Sequence, residues 1–510
     1  MSNLYSILEA SFPTDRTACA IESHGDGAPL LYSWADLHRG SGRIANLLTA
    51  LKLPAGSRLA AQVDKSVEAL MLYLACLRAG IVYVPLNTAY RKAEVEYFIG
   101  DAKPAVVVCT QASFGWVGKA AFVGGAEVVY TLGSDRSGTL LDRAAHHADD
   151  FATVERADDD IAVLLYTSGT TGRSKGAMLS HGNMASNALA LRKLWGWRLA
   201  PNGLPDDRDT LLHALPLFHI HGLFVAAHGA LIAGAKQIFL PKPDPARILD
   251  LLPRCTVMMG VPTYYVRLLA EPALSAERCA HVRLFVSGSA PLLADTFAQW
   301  RERTGHTILE RYGMSETVMN TSNPYDGDAT RRKPGTVGPA IPGVDVRVAD
   351  GEPGAIGEIQ IKGPNVFKGY WRMPDKTAEA FTADGWFRTG DVGRLDADGY
   401  LSIVGRSKDL IITGGYNVYP KEIESFIDEM PGIAESAVIG VPHADFGEAV
   451  VAVVVARPGA TVDEAVLIAA LKAGIANFKV PKRVFVVDEL PRNTMGKVQK
   501  NLLRERFSGA

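Results

Sequence analysis

From about residue 55 onward, short β-type apolar runs alternate with longer helical patterns: RLAAQVD, then VEALMLYLACLRAG, then YVPL, then the helical EVEYFIG, then AVVVCT. Such alternation predicts βαβ units and parallel sheets. The rhythm recurs at IAVLLY before a long helix from about His181, at TVMMGV before YYVRLLAE, and at VRLFVSG before ADTFAQWRERTG. Between about Gly338 and Ile403 it changes to short strands cut by Gly, Pro and Asp turns, as in VDVRVADGEPGAIGEIQIKG, which predicts antiparallel β structure. After Arg406 the pattern gives a helix from about Pro420 to Glu429, strands at SAVIGV and AVVAVVVA, and a helix near Val462 to Ala473, a small separate α+β domain. A chain of 510 residues exceeds what one core organises, so two to four domains are expected.

The 53 basic and 55 acidic residues nearly cancel, and 47% apolar with 21% charged residues describe a globular protein without a polyelectrolyte face for nucleic acid. Cys19, Cys76, Cys109, Cys255 and Cys279 are scattered, with no CxxC spacing, and read as free thiols in a reducing compartment. The stretch MSNLYSILEASFPTDR has neither a basic n-region nor an apolar h-region, which favours the cytoplasm. Thr210 to Ala235 contains no Lys, Arg, Asp or Glu, but Pro216, three glycines and four histidines interrupt it. That suits elements buried inside a domain better than a membrane span, so no membrane partner is expected.

The segment LLYTSGTTGRSKGAML, Leu164 to Leu179, sets a strand before a loop dense in Gly, Ser and Thr, with Lys175 near its end. Small residues let backbone N–H groups and hydroxyls approach an anion, and the lysine adds charge, so the loop is expected to bind phosphate. The spacing fails the Walker pattern: Ser174 stands where Gly is needed before Lys175, and Gly176 stands where a hydroxyl would meet magnesium. A P-loop kinase or ATPase is disfavoured.

This loop resembles the signature of the adenylate-forming superfamily: acyl-CoA synthetases, peptide-synthetase adenylation domains and luciferases. LPLFHIHGL (Leu215–Leu223), SGSAPL (Ser287–Leu292), ERYGMSE (Glu310–Glu316), WFRTGDVG (Trp386–Gly393), GRSKDLIITGGYNVYPKEIE (Gly405–Glu424) and PRNTMGKVQK (Pro491–Lys500) match in the expected order. The resemblance implies a luciferase-like α/β architecture. It has a large N-terminal domain of doubly wound sheets with a β-barrel-like subdomain (1–405), a hinge (406–408) and a small mobile α+β domain (409–510). It also implies a two-step reaction, in which a carboxylate attacks the ATP α-phosphate and a thiol, from coenzyme A, then displaces AMP. Both steps develop negative charge, so cations and backbone donors are expected to dominate.

By the same resemblance, Thr167, Ser168, Thr170, Thr171 and Lys175 would cradle the pyrophosphate, and Glu316, with Thr167, would hold Mg2+. Tyr312, Ser289, the Gly288 backbone and Thr317 would form the adenine site. Asp391, helped by Arg406, would accept the ribose hydroxyls, and Lys497 would reach the α-phosphate. Lys408 would be the pivot that exchanges Lys497 for the ITGGYNVYP segment, where Gly414 and Gly415 leave room for a pantetheine arm. Lys497 also lies where such enzymes are silenced by acetylation, which implies a lysine acetyltransferase and deacetylase as partners.

The superfamily usually has an aromatic at the position of His221. A histidine there exchanges an apolar wall for a hydrogen-bonding group, which is costly unless the pocket holds something polar. The simplest candidate is a second carboxylate on the substrate, with Arg283 as a fixed cation beside His221; the alternatives are a satisfied core histidine and a structural ion pair. ERYGMSETVMNTSNPYDG together with HxHGL resembles bacterial malonyl-CoA synthetases. That implies malonate as the substrate, with Met314 limiting branching at its middle carbon and Ile220 leaving methylmalonate open. Another small-acid or aryl-CoA ligase, a luciferase-like oxidoreductase and an inactive binding protein stay open. A peptide-synthetase domain is disfavoured, because the chain ends about a dozen residues after PRNTMGKVQK.

Overall fold

The computed structural model describes residues 3–25, 27–167, 174–198, 208–326, 331–349, 354–406, 409–413, 416–443, 447–475, 477–493 and 496–508. Two predominantly parallel sheets dominate it, as the alternation predicts. One has six strands in the order Val128–Thr131, Val106–Cys109, Arg58–Gln62, Val82–Pro85, Ile161–Thr167, Lys175–Ser180. Its inner strands are buried on both faces, so VVVC and VYVP are continuous apolar runs without alternation. Helix Val67–Ala79 packs beside it against Trp34–Ala50. Ser66 Oγ caps its start by accepting from the Ala69 N–H, and Gly80 closes its end at φ 67, a left-handed conformation suited to glycine.

The second sheet has eight strands in the order Thr321–Ser322, Ile308–Tyr312, Leu284–Ser287, Val257–Gly260, Thr210–His213, Lys236–Phe239, Cys19–Ser23, Leu30–Ser33. All neighbours from Ile308–Tyr312 to Cys19–Ser23 pair parallel, so the carboxyl ends of these strands share one rim. Such rims are where ligands bind in open α/β sheets, because the loops leaving the strands converge there. Asp345–Val348, Gly357–Lys362, Phe387–Leu395 and Leu401–Arg406 form an antiparallel four-stranded sheet, in the place expected for the barrel-like subdomain. A five-stranded sheet built from Ile411–Thr413, Tyr416–Val418, Ile433–His443, Gly447–Ala456 and Arg483–Val487 follows, flanked by helices Pro420–Asp428 and Glu464–Gly474.

The structure adds two features that the sequence pattern does not announce. Lys175 begins a strand that returns antiparallel to Ile161–Thr167, with Thr167 opposite Lys175, so the two ends of the phosphate-loop motif are paired. The charge-free stretch from Thr210 splits into a strand, a seven-residue π-helix His221–Ala227 and a short helix His228–Leu231, all inside the core. Among the described residues no helix is long and apolar enough to cross a membrane. Cys76, Cys109, Cys255 and Cys279 are buried free thiols and Cys19 is half-buried.

His228 is one of the polar groups held in this core. Its Nε2 meets the Tyr73 hydroxyl at 2.8 Å, and burial pushes its pKa down to about 3. The unfolded chain therefore takes up the proton first, so the stability tied to neutral His228 is complete above 6.5 and is lost as pH falls from 6.5 towards 3. One pH unit below 6.5 the loss reaches about 1.4 kcal/mol. Urea denaturation of His228→Phe one unit above and one unit below pH 6.5 should show a difference smaller than the parent's by about that amount; equal differences would mean His228 is not buried neutral.

Candidate active site

The site grows from three carboxyl ends on the shared rim. After Thr210–His213 the chain runs to His219 and His221; after Leu284–Ser287 come Gly288 and Ser289; after Ile308–Tyr312 come Met314 and Glu316. The last turn is tight. A Cβ on Gly313 would stand 1.9 Å from the Val318 carbonyl oxygen, and Val318 itself holds a φ of 56, a strained value for a β-branched residue. That turn presents Glu316, a buried carboxylate that accepts from the Tyr370 hydroxyl at 2.9 Å. The Lys175 ammonium lies 4.0 Å from the centroid of the Tyr370 ring. Burial raises the Glu316 pKa, and Tyr370, Lys175 and Arg406 pull against it.

On the other side of Tyr312 lies a second polar constellation. The Tyr312 hydroxyl donates to Asp391 Oδ2 at 2.5 Å, and Arg406 Nε stands 3.1 Å from Asp391 Oδ1. Strands Phe387–Leu395 and Leu401–Arg406 set this pair, because Asp391 and Arg406 are direct partners in their register. Lys497 retains contact with solvent, yet withdrawal from water, followed by the Arg406 guanidinium, holds its pKa below the ordinary lysine value. Asp391, Glu316 and Arg311 also act on it, and its charge in turn depresses His219, whose pKa burial lowers to about 3. The carboxyl-terminal part therefore closes on the rim with Lys497 facing it, and Arg457 of that part pairs with Asp295 at 3.3 Å. The hydroxyl of Thr317, 0% exposed, has no partner among the described residues, and Met314 Sδ lies 3.8 Å from the Tyr312 hydroxyl. Ser168, Thr170, Thr171, Lys408, Gly414 and Gly415 lie outside the described residues.

The acid side differs from the sequence expectation in one charged group. Arg283 is not in the pocket. It precedes strand Leu284–Ser287, so it sits at the amino end, on the opposite rim. There its Nε and Nη2 donate to Asp209 at 2.7 and 2.6 Å, and Nη1 donates to the Trp195 carbonyl at 3.0 Å. The cation near His221 is Arg311, inside strand Ile308–Tyr312 and 4% exposed. Its Nε and Nη2 have no partner among the described residues, and burial lowers its pKa to about 10, which leaves it charged at neutral pH. Gly288 makes room for it: a Cβ there would lie 2.4 Å from Arg311 Cζ.

His221 is 4% exposed; its Nδ1 stands 3.4 Å from Ser289 Oγ, and its Nε2 has no partner among the described residues. Burial, then Arg311, holds its pKa well below the usual histidine value, so the ring is neutral. Ser289 takes a φ of 72, an uncommon conformation for a residue with a side chain. Arg311 was readable as a signal: a strand buried on both faces that spells ILERY must explain its two charged residues. Glu310 accepts from the Leu292 N–H at 2.9 Å and burial raises its pKa to about 7; Arg311 has no such internal explanation.

The model of the AMP-binding enzyme family matches residues 9–371, and that of the AMP-binding enzyme C-terminal domain matches 422–497. The chain belongs to the AMP-binding enzyme family. It is 57% identical to MatB from Rhodopseudomonas palustris, whose ATP-bound crystal structure it matches with a TM-score of 0.94 over 100% of this chain and 99% of that one. It is 36% identical over 487 residues to a malonate–CoA ligase of Arabidopsis thaliana, covering 88% of this chain and 78% of the relative. It is 37% identical over 496 residues to a feruloyl-CoA synthase of an Amycolatopsis species, covering 95% of each.

This member of the AMP-binding family is an AMP-forming acid–CoA ligase, with ATP, coenzyme A and a small-molecule acid as its substrates. In it the two arginines separate cleanly by energetics. Removing one partner of a buried ion pair strands the other charge and costs about 3–5 kcal/mol. Arg283→Met should therefore lower stability by about that amount in chemical denaturation and leave the KM for the acid unchanged; a raised KM without lost stability would return Arg283 to the pocket.

Proposed function

We propose that the acid is malonate, activated at one carboxylate as the adenylate and held at the other by Arg311 and His221. The observation that carries this reading is the buried guanidinium whose Nε and Nη2 have no partner among the described residues, set close to a neutral His221 whose Nε2 equally has none among them. Burying a charge without a counter-ion is costly, and a carboxylate supplied by the substrate removes that cost. An aryl acid such as ferulate has no second carboxylate to offer. The relatives named for malonate support the same reading; the feruloyl-CoA synthase shows that overall identity alone does not decide it.

In the first half-reaction an oxygen of the free carboxylate forms a bond to the α-phosphorus of ATP and the bond to pyrophosphate breaks. Lys175 and the loop beside it would bind the phosphates, and Asp391 would accept the ribose hydroxyls with Arg406 and Tyr312 orienting it. Tyr312, Ser289, Gly288 and Thr317 would form the adenine site, and Lys497 would neutralise charge that builds on the α-phosphate. Among the described residues no cage of three or more His, Cys, Asp or Glu side chains exists. Mg2+ needs none, because it keeps phosphate and water ligands and takes one or two protein oxygens. The buried Glu316 carboxylate, with Thr167, fits the role of holding Mg2+, and the charge neutralisation at the phosphates would come from that ion. In the second half-reaction the coenzyme A thiolate forms the thioester bond and AMP leaves. Lys408 would be the hinge between the two arrangements, the domains being 1–405 and 409–510, with Gly415 lining the thiol's approach. Acetylation of Lys497 would cancel its charge and is the regulatory part of the proposal.

A charge-assisted hydrogen bond contributes about 1.5–3 kcal/mol, or roughly ten- to a hundredfold in kcat/KM. Pyrophosphate release should put malonate far ahead of acetate, propionate and ferulate, with Met314 making methylmalonate the poorer dicarboxylate. Arg311→Met and His221→Phe should each lose roughly ten- to a hundredfold on malonate while keeping acetate turnover and ATP affinity. Because Arg311 forms no ion pair among the described residues, Arg311→Met should also be at least as stable as the parent in urea. An aryl acid leading in the parent, or equal losses on malonate and acetate, would overturn the assignment.

A further inference from the structure

Lys65 and His213 belong to none of the motifs above, yet they touch the turn that presents His221. Lys65 Nζ lies 2.8 Å from His213 Nδ1 and 2.6 Å from the His213 carbonyl oxygen, and 4.7 Å from the centroid of the Phe239 ring. The opposite ring nitrogen, His213 Nε2, lies 2.8 Å from the Gly222 carbonyl oxygen. A carbonyl only accepts, so Nε2 must carry the proton. In a neutral ring Nδ1 is then the acceptor, and Nδ1 is the atom to which Lys65 donates. Burial, then Lys65, holds the His213 pKa well below the usual histidine range, consistent with a neutral ring; burial also holds the Lys65 pKa well below the usual lysine value, and its amine can donate to Nδ1 in either charge state.

Gly222 is thereby held from two sides. A Cβ on it would stand 1.9 Å from the Pro216 carbonyl oxygen, so its backbone lies directly against that of Pro216, while His213 binds its carbonyl. Gly222 directly follows His221, and the π-helix His221–Ala227 starts at this pair. Single π-turns are rare because their geometry is poor, and they persist where surrounding structure enforces them. Here the enforcing group on the sheet side is His213, the last residue of strand Thr210–His213.

We propose that Lys65 and His213 are positioning residues for the acid pocket: Lys65 fixes the His213 tautomer, and His213 holds the Gly222 carbonyl so that His221 faces Arg311. The inference rests on the reading that His221 and Arg311 take the second carboxylate. Neither residue touches substrate. Their effect is read in the KM for a dicarboxylate, not in ATP binding.

The test uses the full-length enzyme and three variants, Lys65→Met, His213→Asn and His213→Gln. A glutamine places its amide nitrogen near the position of Nε2 and can donate to Gly222; an asparagine reaches only the position of Nδ1. Lys65→Met and His213→Asn should raise the malonate KM about tenfold while the KM values for acetate and ATP stay within about twofold, and His213→Gln should recover most of the malonate affinity. Equal damage from His213→Asn and His213→Gln, or parallel losses on malonate and acetate, would show a merely structural role and overturn the proposal. A parent enzyme with no preference for malonate overturns the pocket reading and this inference together; a parent that prefers malonate beside an unaltered Lys65→Met overturns this inference alone. Should the variants fail to fold, the 15N spectrum of the parent decides: His213 protonated at Nε2 supports the proposal, and protonation at Nδ1 overturns it.

Discussion

Parallel pairing along the eight-stranded sheet is the constraint from which the site follows. Each strand from Ile308–Tyr312 to Cys19–Ser23 runs the same way as its neighbour, so every loop that leaves a carboxyl end opens on one rim. His219, His221, Ser289, Met314 and Glu316 arrive there from three separate segments. The same direction rule sends Arg283 to the far rim, although only three residues separate it from Ser287. Charge and sequence proximity alone would have placed both arginines in the pocket; strand polarity admits one of them.

The rim divides into two electrostatic regimes. Around Asp391 and Glu316 each carboxylate already has protein partners, Tyr312 and Arg406 in one case and Tyr370 in the other. These groups are pre-set, so on the proposed reading a nucleotide would meet donors and acceptors that need little reorganisation. Around Arg311 the opposite holds: the guanidinium Nε and Nη2 and the imidazole Nε2 of neutral His221 are enclosed without partners among the described residues. On the proposed reading, that arrangement costs stability in the free protein and returns it when an anion of the right length arrives. Selectivity for the acid would then be stored as incomplete solvation of Arg311 and His221, whereas binding of ATP would rest on pairs that are complete beforehand.

Much of the fold was legible because its signals are local. The alternation of VVVC-like runs with helical patterns gave the parallel sheets, and the Gly, Pro and Asp turns after Gly338 gave the antiparallel one. The motif residues Tyr312, Glu316, Asp391 and Lys497 were named from their flanking sequence and gather on one rim. Three things were not legible, each because it depends on a specific pairing that hydrophobic periodicity does not encode. Lys175 lies on a returning strand fixed by its pairing with Thr167. The π-helix at His221 begins where His213 Nε2 meets the Gly222 carbonyl, a contact made from a neighbouring strand. The choice of Arg311 over Arg283 depends on Asp209, which lies 74 residues from Arg283 in sequence and takes up its fork.

The central claim is that Arg311 Nε and Nη2 and His221 Nε2 are left without partners among the described residues for the sake of a second carboxylate. The most direct measurement is a crystal structure of the enzyme with a non-hydrolysable malonyl-adenylate analogue. The account predicts the distal carboxylate at about 3 Å from Arg311 Nε or Nη2 and from His221 Nε2. A distal carboxylate turned to solvent, or paired with another cation while Arg311 stays unpartnered, would contradict it.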